Sequence, residues 1–321
     1  MNFLKPKFWD EKPKAGSWIK ISIFSFFLLP VSLFLQFLNF LKTIFIKKHT
    51  SKIPVICVGN IYLGGTGKTP LSIEIYLILK KLNKNPAFVR KKYNSYQDET
   101  SLQRLIGPVF ENKKRIEAIN SAAKNSADIV ILDDGFQDFS IKKDLSIVCF
   151  NKTKWLGNGL TIPAGPLREN LSALKRANLV VINGNEINKE NKPIMEKKIL
   201  EQNRNIKIFY SKYKSINIDE FKNKKIISFA GIGNPVNFFE LLKINNIDLL
   251  EEIVFPDHYN YSNMELEGLI DKSLHYNTIL LTTQKDYLRI NKKYRKNIRY
   301  LKIKIEIEKN DDFVEEIRRC I

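Results

Sequence analysis

With 321 residues and 44% apolar side chains, the chain can bury a sizeable core and is expected to hold two α/β lobes rather than one. Lysine and arginine (53) outnumber aspartate and glutamate (34), and the net charge of +19 points to an anionic partner. No arginine-rich stripe interleaves with aromatics and no nucleic-acid-binding motif occurs, so nucleic acid is set aside and a membrane or anionic lipid is favoured.

Residues 21–41 contain no charged side chain. As a helix the stretch would be roughly 31 Å long, about the thickness of a bilayer's hydrocarbon core. It starts too late, runs too long and lacks the cleavage site of a signal peptide. A spanning helix fits the length, and a helix lying in the membrane surface fits the interruptions at Pro30, Gln36 and Asn39. Lysines flank both ends (Lys12, Lys14, Lys20; Lys42, Lys47, Lys48, Lys52), so charge does not fix an orientation.

An apolar strand at 54–58 leads into Gly64-Gly65-Thr66-Gly67-Lys68-Thr69-Pro70, the pattern of a phosphate-binding loop. The glycines let backbone N–H groups converge on phosphate oxygens, Lys68 can reach the β- and γ-phosphates, and the Thr69 hydroxyl can hold Mg²⁺. A helix over 71–81 would point its positive end at the anion. Tyr62 stands where the strict pattern has its first glycine. Because ATP is cytosolic, everything after about Lys47 is expected on the cytosolic side.

Further strands are expected at 87–89, 127–132, 146–150, 178–182, 206–210, 225–230, 278–281 and 300–305. Helices are expected at 101–106, 115–124, 236–243 and 311–319. Continuous apolar strands alternating with helices indicate a P-loop NTPase-like, doubly wound parallel sheet, with ligands at the carboxyl ends of its strands. The lysine- and asparagine-rich stretch from 183 to 225 marks the way to a second, smaller α/β lobe. The expected division is an N-terminal membrane anchor (1–47), a nucleotide-binding lobe (48–205), and linker strands with a smaller lobe (206–321). Cys57, Cys149 and Cys320 show no paired metal or redox spacing, and the first two fall in strand-like runs, as buried thiols of a reducing compartment do.

Asp133 and Asp134 end the 127–132 strand, where adjacent carboxylates call for a compensating cation such as Mg²⁺ or for a solvated turn. Arg168, in the proline-stiffened turn 162–169, could clamp a phosphate, and Glu169 could join the magnesium shell; a surface ion pair fits the spacing nearly as well. Asp98-Glu99 follows the second strand, where a carboxylate could accept the proton of a hydroxyl attacking the γ-phosphate, or simply be solvated. His258, beside Asp257, is one of only three histidines and could handle a proton, or be structural. Residues 282–286 (Thr-Thr-Gln-Lys-Asp) could bring polar groups to the site or cap a helix.

Taken in order, Val58-Gly59-Asn60, Gly64 to Pro70, Asp98-Glu99, Leu132-Asp133-Asp134-Gly135-Phe136-Gln137, Gly157-Asn158-Gly159, Pro163 to Glu169, Phe255 to Tyr259 and Thr282 to Asp286 resemble the tetraacyldisaccharide 4'-kinase (lipid A 4'-kinase) family. That family also begins with an apolar membrane segment and lacks the early glycine. The resemblance implies transfer of the ATP γ-phosphate to the 4'-hydroxyl of an acylated, 1-phosphorylated glucosamine disaccharide, giving lipid IVA at the cytoplasmic face of a bacterial inner membrane. It implies ATP and Mg²⁺ as cofactors, the lipid and the bilayer as partners, and no obligate protein partner. It further implies a nucleotide site of Tyr62, Leu63, Gly64, Gly65, Thr66, Gly67, Lys68, Thr69, Gln137 and Arg168. Metal would be held among Thr69, Asp133, Asp134 and Glu169, and Asp98 would be the base, paired with His258 and working with Lys68. Two lobes joined by a strand pair would close on the substrate.

Residues 90–97 (Arg-Lys-Lys-Tyr-Asn-Ser-Tyr-Gln) depart from the family's glycine-rich turn and are shorter. Thr100 replaces its usual proline and Gln284 its usual glutamate. The alternative is a membrane-associated regulatory P-loop ATPase. Such proteins carry an extra lysine where Leu63 stands, and they bind membranes through a C-terminal helix. A GTP-dependent metal chaperone would want a cysteine cluster and a guanine-specifying Asn-Lys-x-Asp stretch, which are not found.

Overall fold

The computed structural model describes residues 6–11, 22–92, 97–184 and 191–321, and their side chains apart from those of Gln97, Asp98 and Asn191. The flanking Lys12, Lys14 and Lys20, the first residue of the apolar stretch (Ile21), and residues 93–96 of the divergent loop lie outside it. In chain order the elements are α1 (Ile23–Phe45), β1 (Val55–Gly59), α2 (Lys68–Lys81), β2 (Pro86–Lys91), α3 (Gln97–Arg104), β3 (Val109–Asn112), α4 (Arg115–Lys124), β4 (Ile129–Asp133) and β5 (Leu145–Asn151). There follow β6 (Leu179–Asn183), α5 (Asn191–Gln202), β7 (Lys207–Ser215), β8 (Lys225–Ala230), α6 (Pro235–Ile244), β9 (Asp248–Val254), α7 (Asn263–His275), β10 (Ile279–Thr283), α8 (Gln284–Arg289), β11 (Arg299–Leu301), β12 (Ile303–Ile307) and α9 (Asn310–Arg318).

The chain forms two compact units. Among the described residues the larger comprises 6–11, 22–92, 107–184, 191–211 and 307–321, and the smaller comprises 97–106 and 212–306. These cuts differ from the expected ones: α1 belongs to the larger unit rather than standing apart as an anchor, and the larger unit runs on to 211 rather than ending at 205. Residues 97–106, with α3, belong to the smaller unit, and the C-terminal α9 belongs to the larger. The chain passes between the units inside β7 and β12.

One sheet has the order β12-β7-β6-β5-β1-β4-β2-β3, and from β3 to β6 every neighbouring pair is parallel. Strands β1, β4, β5 and β6 are buried along their whole length, as expected for strands covered on both faces. Because β1 lies between β4 and β5, the direction of winding reverses there, which places the ligand end of the sheet at the carboxyl tips of β1 and β4. The smaller unit has its own parallel sheet, β11-β10-β8-β9, with cores on both faces built around Phe229, Leu266, Phe238 and Leu242. The run 300–305, expected as one strand, is divided at Lys302: β11 joins the smaller sheet and β12 the larger. A single apolar run carries no mark of such a change of sheet.

Helix α1 is long and apolar enough to cross a membrane. Most of its side chains are exposed, Phe24, Phe27, Phe34 and Phe45 among them, but one stripe is not. Ser25, Ser32 and Gln36 recur on one face and dock on the loop between β5 and β6. Ser32 Oγ donates to Thr161 O (3.0 Å) and accepts from Ala164 N–H (3.0 Å). Gln36 Nε2 donates to Thr161 Oγ1 (2.8 Å), and Asn158 Nδ2 lies 3.3 Å from Ser25 Oγ.

Candidate active site

Strand β1 delivers the chain to the loop 60–67, and Gly67, with φ 86°, turns it directly into α2. That left-handed conformation is one that glycine adopts without steric cost. The loop is braced from beneath: Asn60 Nδ2 donates to Thr66 Oγ1 (2.9 Å) and Asn183 Nδ2 to Thr66 O (2.5 Å), all three residues being buried. Tyr62, in the place of the early glycine, is buried. Its backbone bridges to Leu167 and its hydroxyl donates to Asp10 Oδ1 at 2.9 Å. Burial, with the Asp10 carboxylate beside it, pushes the Tyr62 hydroxyl well above the ordinary tyrosine range. The residue is thus a spacer and anchor for the loop. Leu63 donates its N–H to Pro166 O (2.9 Å), while Gly64 and Gly65 are partly exposed at the loop's mouth.

Lys68 and Thr69 open α2, facing the end of β4. Thr69 Oγ1 donates to Asp133 Oδ2 at 3.2 Å, and Arg90 Nη1, from the end of β2, reaches the same oxygen at 2.9 Å. Arg90 and Asp133 are both buried. Asp134 adopts a left-handed backbone (φ 55°), and its carboxylate takes Arg168 Nη1 at 2.7 Å with Lys68 Nζ at 3.6 Å. Gln137 Nε2 donates to Asn60 O (2.8 Å) and Glu169 Oε1 (3.0 Å). Glu169 is also held by both of its oxygens on Arg176. Behind the 133–138 turn, Arg115 donates to Asp134 O (2.8 Å) and Asp138 Oδ2 (3.0 Å), and Arg176 lies over the Phe136 ring at 4.8 Å. Burial works against ionisation of Asp138, but the Ser140 hydrogen bond and the Arg115 charge outweigh it and leave the carboxyl below its ordinary value. Burial lowers the neighbouring Lys143 ammonium from its usual range and raises the Cys57 thiol to about 11.

The structure therefore brings Lys68, Thr69, Asp133, Asp134, Gln137, Arg168 and Glu169 together in the larger unit. Among the described residues no three His, Cys, Asp or Glu side chains assemble into an all-protein metal cage. Mg²⁺ does not need one: it keeps several waters and takes one or two carboxylates plus substrate phosphates. A hydroxyl and a carboxylate 3.2 Å apart at the mouth of a phosphate loop are the hard oxygen donors that suit this ion. Glu169, engaged by Arg176 and Gln137, stands one hydrogen bond further out.

Asp98, Glu99 and His258 fall in the smaller unit. Asp98 lies in the first turn of α3, and Glu99 accepts from Lys285 Nζ at 2.8 Å. His258 has φ 56°, donates its N–H to Gly231 O (3.1 Å), and stands with Nε2 3.8 Å from Asp257 Oδ1. Thr283 and Asp286 form a helix cap, one of the two readings given for residues 282–286. Sequence reasoning missed Arg90, Arg115 and Asn183. The signal for Arg90 was present, since a charge directly after the apolar pair Phe88-Val89 at a strand's carboxyl end needs a partner.

Parallel sheet, loop and acidic strand end together define a P-loop α/β protein of the nucleotide-binding class. The chain belongs to the tetraacyldisaccharide 4'-kinase family: residues 24–104 and 97–321 match the family described as "LpxK: Tetraacyldisaccharide-1-P 4'-kinase". It is 44% identical over 313 residues to the tetraacyldisaccharide 4'-kinase of Pelagibacter ubique (strain HTCC1062), spanning 97% of this chain and 96% of that one. It is 33% identical over 311 residues to that of Rickettsia typhi (strain ATCC VR-144 / Wilmington), spanning 91% of each. The "apo" form of LpxK from Aquifex aeolicus, solved in complex with ATP, shares the fold with a TM-score of 0.67 at 25% identity, over 92% of this chain and 97% of that one.

Proposed function

We propose that this chain transfers the γ-phosphate of ATP to the 4'-hydroxyl of a tetraacyldisaccharide 1-phosphate, the lipid A 4'-kinase reaction. The observation that carries the reading is the Thr69–Asp133 contact at the mouth of the phosphate loop, in a chain that belongs to this family. Phosphoryl transfer asks a protein for positioning and charge neutralisation more than for covalent chemistry. The loop N–H groups and Lys68 bind the phosphates, while Thr69, Asp133 and Asp134 would hold Mg²⁺ and Arg168 orients Asp134. When bound, the metal neutralises phosphate charge. Asp98, aided by His258, takes the proton of the acceptor hydroxyl.

For the membrane we propose an interfacial helix rather than a spanning one. The polar stripe of α1 is hydrogen-bonded to the enzyme body from Ser25 to Gln36, and a bilayer crossing would carry that polar loop into hydrocarbon. Helix α1 then rests in the cytoplasmic leaflet of the inner membrane, where the acyl chains of the substrate remain.

The test is transfer of labelled γ-phosphate in detergent with Mg·ATP and the acylated disaccharide, run beside plain ATP hydrolysis. Label should appear in the lipid, and Lys68→Ala and Asp98→Ala should each abolish it. Label released only as inorganic phosphate would favour the regulatory ATPase. Near-normal rates for Asp98→Ala would remove the base assignment while leaving the kinase intact.

A further inference from the structure

Helix α8 is six residues long, yet it makes polar contacts with both segments of the smaller unit that carry acceptor-side residues. Resting on the reading that Asp98 and His258 serve the acceptor hydroxyl, we propose that α8 is their shared positioning element. Lys285 holds the helix that carries Asp98, and Arg289, set by Asp286, holds the turn that carries His258.

Helix α3 has eight residues of sequence Gln-Asp-Glu-Thr-Ser-Leu-Gln-Arg, far too short and polar to persist by itself. It packs on α8, and Lys285 Nζ grips Glu99 Oε1 at 2.8 Å with both side chains three-quarters buried. Glu99 is the residue next to Asp98, so this bond fixes the rotation of α3 about its axis at the turn where residue 98 sits.

The other end of α8 acts on His258. Asp286 is fully buried; its Oδ2 accepts from Thr283 Oγ1 (2.7 Å) and Gly231 N–H (3.1 Å), and its Oδ1 from Tyr261 Oη (2.9 Å) and Arg289 Nη2 (2.8 Å). Arg289 then spans the His258 turn: Nη2 donates to Gly231 O (2.8 Å) and Nη1 to Tyr259 O (3.3 Å). Gly231 O is also the acceptor for the His258 N–H. A histidine in the left-handed region is a strained residue that its surroundings must hold in place. Here the planar fork of one guanidinium does so from both sides, a geometry that an ammonium does not reproduce. Gly231 is required as well, since a Cβ there would lie 2.8 Å from Tyr261 Oη and 3.2 Å from Asp286 Oδ1.

The experiment is a charge swap read by transfer kinetics. In full-length enzyme, Glu99→Lys and Lys285→Glu are each expected to lower kcat about tenfold or more while the KM for ATP stays within about twofold, because the phosphate loop belongs to the other unit. The double swap should recover kcat to within about threefold of the parent. Arg289→Lys should lower kcat about tenfold with the ATP KM unchanged, and Lys285→Met serves as a milder single variant if the swaps fold poorly. Single swaps with parental kcat, a double swap no better than the singles, or losses of kcat that merely follow losses of melting temperature would each overturn the proposal. Asp98→Ala, assayed alongside, separates the two levels. If it is inactive while the swaps are not, the positioning role alone falls; if it is active, the acceptor-side reading falls and takes the proposal with it.

Discussion

The guanidinium of Arg168 donates to Asp134 Oδ1 at 2.7 Å, and Lys68 Nζ approaches that same oxygen at 3.6 Å. A carboxylate and a guanidinium assigned separately, one to metal and the other to phosphate, thus form one unit that also sets where the lysine rests. Without Arg168, the Asp134 carboxylate would bear more strongly on Lys68, 3.6 Å away, and would draw it from the phosphates. Arg168→Ala is accordingly expected to raise the ATP KM about tenfold and to lower kcat as well. Arg168→Lys should recover little, since an ammonium on a shorter stem does not reproduce the reach of Nη1, which takes Asp134 Oδ1 at 2.7 Å and lies 3.5 Å from Gln137 Oε1. Steady-state rates at varied ATP decide this, and an unchanged KM for Arg168→Ala would refute the coupling.

Arg90 and Asp133 form a buried ion pair at 2.9 Å, with side-chain exposures of 10% and 1%. Removing one partner of such a pair strands a buried charge at a cost of about 3–5 kcal/mol. Arg90→Met should show a loss of that order in denaturant unfolding, together with weaker Mg²⁺ dependence of the rate. The double variant Arg90→Met/Asp133→Leu should regain most of the stability and none of the activity, because an apolar pair of similar volume satisfies the site without its chemistry.

The central strands were legible because parallel strands buried on both faces leave continuous apolar runs: Val55–Gly59, Ile129–Asp133, Leu145–Asn151 and Leu179–Asn183 lie within a residue or two of their expected ranges. Edge and amphipathic elements were not. Strand β9 alternates exposed and half-buried residues, and α7 starts from a capping box at Ser262 and Glu265 within a polar run. For α3 the apolar pair Leu105-Ile106 drew the expected helix to 101–106, whereas those two residues are exposed and the helix runs Gln97–Arg104. Its assignment to the smaller unit follows from long-range contacts that no local pattern encodes. The phosphate-loop residues could be read because backbone chemistry fixes their spacing; the roles of Arg90 and Arg289 turn on Asp133 and Gly231, each more than 40 residues away.

Gly59 ends β1 against the turn that follows Asp134. A Cβ there would sit 2.4 Å from Phe136 Cβ and 3.0 Å from Phe136 N. Those are atoms at the root of a side chain clamped between Gly135 and Gln137, so they cannot yield cheaply. Gly59→Ala is expected to cost about 1–3 kcal/mol through overpacking and to lower kcat by displacing Asp134 and Gln137. Thermal unfolding and transfer rates check the two halves separately; full stability would mean that the turn is softer than its packing implies.

The placement of α1 gives the last prediction, and the thiols make it testable. Cys57 and Cys149 are buried, and burial raises both thiols, Cys57 to about 11, so neither should react in the folded protein near neutral pH. With Cys320→Ser removing the half-exposed third thiol, a cysteine introduced at Ser22 or at Phe45 becomes a clean reporter of each end of the helix. A helix lying in the surface puts both ends on one side, so an impermeant maleimide added to inside-out membrane vesicles should label both variants. A spanning helix would leave one of them unlabelled until detergent is added. The aromatic face should carry the affinity: Phe27→Asp with Phe34→Asp is expected to release the protein from anionic vesicles, while Ser32→Leu, which spares that face but breaks the bonds to Thr161 and Ala164, should keep vesicle binding and reduce turnover. Labelling of only one end in sealed vesicles would establish the crossing that the docked polar stripe argues against.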